Sequence, residues 1–449
     1  MMHGKYRGTT KKTNSSPRRL PEKHLTSIVS LIVSIAVGIV LSSGSALATT
    51  FDVNSNTDET DSNPGDGVCA TSGGTCTLRA AIVEHNATNG TDTIILPEGG
   101  YMLSYALFIY KGVLTISGSN ADTTVLDGGG IERVLGISAA QVSISNVTIT
   151  NGLGNGCGGG IQVGLEASVT LHNCIVSDNI ANVGGGLCNV GTLRLDGTTV
   201  IGNTSYGDGG GIYNGRNLEI AMSTISNNTA ISGGGIANTG SLWATGSAAG
   251  TATLSNVTIS GNSATDTGGG IKNMGSDSYS LYPTLMATNC TIYENSAPTG
   301  GGIYTELGTA SLLNTIAANS SSGGNCYGAV SSMGYNLDSG NTCGFTSVGD
   351  IMDTDPLLGP LSIDWPGTTE THKLLSGSPA IDAADPINYA CTDQRGIIRP
   401  QGNAPDIGAY ELVPPTPVPT MNEWGMLLFM TLAGFGSITY LKRHRKAEN

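Results

Sequence analysis

From Asn146 to Asn319 apolar and polar residues alternate over short stretches. Val169 and Leu171 fall on one side with Thr170 and His172 on the other, and Leu193 and Leu195 alternate in the same way with Arg194 and Asp196. This period of two marks half-buried β-strands, and no helical period competes with it. The strands recur with punctuation. Triple glycines start at Gly158, Gly184, Gly209, Gly233, Gly268 and Gly300, at intervals of 26, 25, 24, 35 and 32 residues. Apolar-x-x-Asn phrases stand between them: Val176 to Asn179, Val200 to Asn203, Ile225 to Asn228, Ile259 to Asn262 and Ile292 to Asn295, with Ile316 to Asn319 closing the series.

A unit of three short strands and glycine turns cannot bury its apolar side alone, so successive units must stack, each rising ~4.8 Å on the last. The predicted fold is all-β: a right-handed parallel β-helix. Equivalent residues then form columns. Asn146, Asn173, Asn256 and Asn289 share one corner, where their amides are expected to bond to turn backbone and to copies above and below. The two long intervals predict loops at Ser241 to Thr253 and Asn273 to Leu285.

The GGGI and I-x-x-N phrases resemble the paired motifs of polymorphic outer membrane proteins, which implies a surface-displayed β-helix. Isoleucine or valine stands where that family usually has phenylalanine, and no C-terminal barrel pattern follows.

Composition adds an address. Residues 1–48 have the form of a secretory signal peptide: a basic leader, an apolar run from Leu25 to Leu41, and Ala46-Leu47-Ala48 as the cleavage site. An N-terminal membrane anchor is the competing reading. Without residues 1–48 and 442–449 the chain keeps 9 basic and 32 acidic side chains, a net charge near −23, which argues against nucleic acid or anionic lipid as partner. No cofactor is implied. Ca²⁺ is the candidate ion, because carboxylates and turn carbonyls are its ligands; Asp52, Asp58, Glu59, Asp61 and Asp66 are the nearest cluster, but their spacing is not that of an EF-hand loop. All nine cysteines follow the leader, as in an oxidising compartment. The expected pairs are Cys69 with Cys76, Cys326 with Cys343, and Cys157 with Cys188 across adjacent coils. Cys174 and Cys290, four coils or ~19 Å apart, are expected to be core residues.

Residues 49–93 resemble the CSLREA domain found at the start of exported bacterial β-helix proteins, with Cys76-Thr77-Leu78-Arg79-Ala80-Ala81 as the matching phrase and Ala80 in place of its glutamate. Physically, Leu78, Ala81, Ile82 and His85 lie on one face of a short helix N-capped by Thr77, suited to cover the open end of a β-helix. The β-helix itself is expected over 94–325. Residues 326–413, with "SGSPAID", "CTDQRGIIRPQ" and "DIGAYE", resemble the choice-of-anchor Q domain and are expected to cap the other end. Where that family often has a second cysteine, this chain has Pro405, which leaves Cys391 without its expected partner.

A proline-rich linker and motif (414–425), an apolar run Met426 to Leu441 predicted as a transmembrane helix, and a basic cytoplasmic tail (442–449) complete the chain. They resemble the IPTL-CTERM sorting signal, with Pro419, Thr420, Glu423, Trp424 and Gly425 as matching positions. The resemblance implies an exosortase-type processing enzyme as partner, membrane attachment through the helix before processing, and display on the envelope of a Gram-negative-type bacterium or release from it. A permanent tail anchor is the alternative.

Enzymes that act on carbohydrates often use this fold, and their chemistry requires defined spacings. A glycosidase needs two carboxyl groups ~5–9.5 Å apart. Asp178 and Glu294 stand four coils or ~19 Å apart, and Asp208 and Asp266 two coils or ~10 Å. Aligning Val176, Val200 and Ile225 puts His172 beside Asp196 and Arg194 beside Glu219 on one outward face, an acid/base or sugar-contact patch or else simple cross-strand charge pairing. The chain has no P-loop, G-x-S-x-G, H-E-x-x-H or C-x-x-C phrase. The expected function is a structural or adhesive surface protein without catalysis, contacting a glycan or a host or neighbouring cell surface. The competing class is a polysaccharide lyase or glycoside hydrolase.

Overall fold

A computed structural model describes residues 48–241, 248–414 and 423–445. It is a right-handed parallel β-helix. Each full coil carries four strands rather than the expected three, as in Leu187–Asn189, Thr192–Asp196, Thr199–Ile201 and Thr204–Ser205. The first two belong to one large sheet, face one, bent at its middle; the third and fourth build face two and face three. The extra bend follows from a side-chain column hidden in the sequence. Asn189, Asn214, Asn238 and Asn273 are buried there, each amide donating to the next at 2.7–2.8 Å.

The two recurring phrases touch. Each ladder asparagine, from Asn179 through Asn203, Asn228 and Asn262 to Asn295, donates its Nδ2 to the next Oδ1 at 2.9–3.0 Å in the corner between faces two and three. The third glycine of each triplet faces this ladder. A Cβ on Gly211 would lie 3.1 Å from the Asn228 amide, and one on the middle glycine, Gly210, 2.4 Å from the Gly234 carbonyl oxygen. The glycines are thus required by close approach between coils.

Three expectations are corrected in register. Ile316 pairs with Thr291, so Asn319 falls in the column of Glu294 and Ser320 takes the ladder position, its buried hydroxyl unpartnered. Of the corner asparagines only Asn173 and Asn146 bond to each other, at 2.7 Å: Gly197 and Met222 interrupt the column before Asn256, and the adjacent Asn256 and Asn289 turn to the strap, Asn256 donating to the Thr392 carbonyl and Asn289 accepting from the Ala390 N–H. The loops are shorter than expected: Thr251–Ser255 and Thr284–Thr288 are ladder strands, as is Ile271–Met274.

At the N-terminal end Thr49–Asp52 already forms a rung, paired in parallel with Thr91–Leu96, so the ladder starts inside the region expected to be cap alone. Helix α1, Leu78–Thr88, comes between them, with the Thr77 hydroxyl accepting from the Ala80 N–H. Arg79 and Glu84 are buried as well, beyond the predicted face, and with His85 they have polar partners of their own. Arg79 bonds Asp58 at 2.7 Å and lies over the Tyr105 ring at 3.6 Å. Glu84 accepts from the N–H groups of Gly65 and Gly67, and His85 Nδ1 meets Asp92 at 2.7 Å.

The largest difference lies after the last rungs, Cys326–Ser332 and Leu337–Asp338. The following chain does more than cap the end. It turns back and runs along face two as a strap, bonding to coils as far back as Met222 and Thr224. Tyr293, Ile316, Leu374, Ala380, Ile407 and Tyr410 form a second core beneath it.

Disulfides join Cys69 to Cys76, Cys157 to Cys188 and Cys326 to Cys343. Cys174 and Cys290 are free and buried, and burial pushes their thiols up to about 11 and about 12; Cys391 is free and exposed. Helix α2, Glu423–Arg445, contains Gly425–Arg443, a stretch long and apolar enough to cross a membrane. The leader before Ala48, including Ala46, and the motif residues Pro419 and Thr420 lie outside the described residues, as do the side chains of Glu423 and Trp424.

Candidate functional site

Parallel pairing of Ser168–His172, Thr192–Asp196 and Asn217–Ala221 places His172 against Asp196 and Arg194 against Glu219, as the alignment of the repeats predicts. The His172 ring, 60% exposed, reaches Asp196 at 3.4 Å. Arg194 meets the Glu219 carboxylate, both near half exposed. The two pairs open onto different depressions: Arg194 and Glu219 onto a shallow threonine-lined one on face one, His172 and Asp196 onto a corner beside the strap. Exposed single pairs of this kind contribute ~0–1 kcal/mol.

The other candidates are held by partners or turns of their own. Asp208 is bonded by Lys272 Nζ at 3.0 Å, while Asp266 accepts from Ser232 at 3.5 Å. Asp178 and Glu294 hold left-handed turn conformations at φ 55° and 53°. Asp58, Asp61 and Asp66 accept hydrogen bonds from neighbouring groups. Among the described residues no group of three or more His, Cys, Asp or Glu side chains could hold a metal ion.

The strap motifs interlock. Arg399 and Glu411, both fully buried, pair at 2.9 Å; Arg395 pairs with Asp393 at 2.7 Å and lies over the Tyr410 ring at 3.5 Å. Burial pushes the Asp406 carboxyl up to about 6. Gln394 bridges two coils, accepting from Thr258 and donating to Thr224. These motif residues hold the strap to itself and to face two.

A strap hairpin, Leu358–Ile363 with Glu370–Leu374, marks where the cover ends. His372 anchors it: Nδ1 donates to the Gly359 carbonyl at 2.8 Å and Nε2 meets the Ser260 hydroxyl at 2.8 Å. Burial lowers its pKa. A depressed histidine pKa contributes stability that is complete above the ordinary value near 6.5 and is lost as pH falls through the folded value. Amide exchange of residues 369–374, corrected for intrinsic rate, should therefore accelerate relative to the coil strands between pH 7 and pH 5; equal protection at both would contradict this role.

Beyond the hairpin, uncovered coils of face two and the hairpin wall enclose a groove of about 590 Å³. Asn173, Ile175, Thr199 and Ile201 lie on its floor, Thr368 and Glu370 on its wall. Trp365, 86% exposed, stands at the hairpin tip. None of these residues emerges from a search for catalytic motifs. The only sequence signal is that Ile175 and Ile201 replace hydroxyl residues at outward positions of the repeat.

No family model matches the chain, and no curated protein does. Among solved structures the chain is similar to one described as the crystal structure of pectate lyase Pel9A, with a TM-score of 0.43 and 16% identity over 82% of this chain and 98% of that one.

Proposed function

We propose that the chain is an exported, surface-attached β-helix with a structural or adhesive role and no catalysis. The observation that carries this reading is the commitment of its ionisable side chains. The buried pairs Arg79–Asp58, His85–Asp92, Arg395–Asp393 and Arg399–Glu411 join one stretch of chain to another. The exposed pairs His172–Asp196 and Arg194–Glu219 are neighbours across strands and open onto separate surfaces. General acid/base or lyase chemistry needs an acid and a base converging on one substrate atom. Attachment before processing would run through α2, with Lys442 and Arg443 at its cytoplasmic end and an exosortase-type enzyme acting on the motif ahead of it.

The test is incubation of the protein with uronic-acid and neutral glycans. Unsaturated products and new reducing ends should stay at the level of the buffer. Turnover that is lost in His172→Ala or Arg194→Ala would replace this reading with a polysaccharide lyase or glycosidase.

A further inference from the structure

The strap covers face two only in part, and the covered part shows what the exposed part lacks. From the coil of Thr224 onward, outward hydroxyls meet the strap. Thr224 donates to the Glu370 carbonyl at 2.6 Å, Thr258 donates to Gln394 at 2.7 Å, and Thr291 accepts from the Ala409 N–H at 3.0 Å. Three consecutive hydroxyls of this column thus hold the strap, before Ile316 ends the run. In the groove ahead of the hairpin the row is broken. Ile175 stands where its neighbours carry Thr148 and Thr199, and Ile201 where they carry Ser177 and Ser226. Apolar side chains alternate there with hydroxyl and amide groups.

We propose that this groove binds a neutral oligosaccharide, with Trp365 as the aromatic contact at its rim. This rests on the adhesive reading and names its ligand class. A sugar ring is amphipathic: its C–H faces suit Ile175, Ile201 and an indole, and its hydroxyls both donate and accept, as Asn173, Thr199 and Thr368 require. The strap draws on three consecutive hydroxyls, Thr224, Thr258 and Thr291, a run that Ile175 denies to a peptide backbone lying in the groove. Charge narrows the class further. Glu370 and Asp122 line the groove and no lysine, arginine or histidine does, so a polyuronate would meet like charge without a partner. The lining runs over four successive rungs, from Ser119 through Asn146 and Asn173 to Gly197, ~14 Å from first to last. That length suits a short run of sugar residues.

Titration calorimetry of the purified full chain in detergent tests the site, using neutral β-linked hexasaccharides of glucose, xylose and galactose, a hexagalacturonate and a Ser/Thr-rich peptide. At least one neutral hexasaccharide should bind with Kd below about 1 mM. Trp365→Ala and Thr199→Val should each weaken it by about tenfold, the scale of one stacked or hydrogen-bonded contact, with unchanged Tm. Absence of neutral-sugar binding, equal binding by both variants, or preference for the peptide or the uronate would overturn the proposal. Reducing-end release in the same samples separates the two readings. Variant-sensitive binding with turnover keeps the site and removes the non-catalytic role. Adhesion to glycan-coated surfaces that Trp365→Ala leaves intact removes the site and keeps adhesion.

Discussion

Replacing Asn228 with alanine should cost about 4 kcal/mol and split the unfolding transition, because four hydrogen bonds are lost in a site with no water to replace them. Asn228 is fully buried. Its Nδ2 donates to the Val200 carbonyl at 3.0 Å and to Asn262 Oδ1 at 2.9 Å, and its Oδ1 accepts from the Asn203 backbone N–H at 2.9 Å and Nδ2 at 3.0 Å. Alanine leaves the Asn203 N–H and the Val200 carbonyl without these partners, at ~1–3 kcal/mol for each unsatisfied group. Because Gly211 lacks a Cβ in order to face this amide, truncation also opens a void that the backbone cannot close. A stack of coils is stabilised by nearest neighbours, so the damage should stay local. Denaturant unfolding followed by hydrogen exchange should show the coils around 200–262 opening first. Thr229→Ala, at the adjoining exposed position, should shift stability by less than about 0.5 kcal/mol. Equal effects of the two substitutions would deny the ladder its role.

The part of the fold legible in the sequence is the part that repeats. Each coil meets the same neighbours, so the positions of Gly210 and Asn228 recur and their period can be read directly. Strand pairing transmits that period to outward residues, which is why His172 lands beside Asp196 and Arg194 beside Glu219. The Cys157–Cys188 pair follows from the same coil spacing. Where repetition fails, so does the reading. The last coil has Ile316 at the position of Thr291, a one-residue offset that an apolar-x-x-Asn match cannot detect. The Asn189 column is equally periodic yet carries no strand-end signature, since its asparagines follow the GGGI phrase at the bend of face one.

The strap was illegible for a different reason. Its hydrogen bonds with face two join residues more than 100 positions apart, such as Ser260 with His372 at 112 and Thr369 with Met222 at 147, and no local pattern encodes such pairings. Its motifs suggested a specific unit but not where that unit sits. The groove shares this origin. Thr368 and Glu370 reach it only because the strap runs back as far as it does, while Thr199 and Ile175 carry the unremarkable signature of outward strand positions. Face two is consequently divided into a half that supports the strap and a half that meets solvent.

The strap's internal packing can be broken at Arg399. Its guanidinium and the Glu411 carboxylate are both at zero exposure, 2.9 Å apart, and Arg399 also donates to the carbonyls of Asp406 and Gly408. Burial lowers the Arg399 pKa and raises that of Asp406, so this group already sits in a costly environment compensated by mutual pairing. Arg399→Met removes the cation and leaves Glu411 buried beside Asp406 and Asp393, which should cost ~3–5 kcal/mol. The coils do not depend on that pair. The expected result is selective: amide exchange across 380–411 faster by roughly two to three orders of magnitude, with the Asn228 ladder still protected. Replacing both partners, Arg399→Met with Glu411→Leu, should recover part of the loss, because the Glu411 charge is removed with its partner and only Asp406, held by the Asp382 and Leu412 N–H groups, remains. If single and double variants open equally, or if the coils unfold with the strap, then the strap is an integral part of the β-helix rather than a separate layer laid over it.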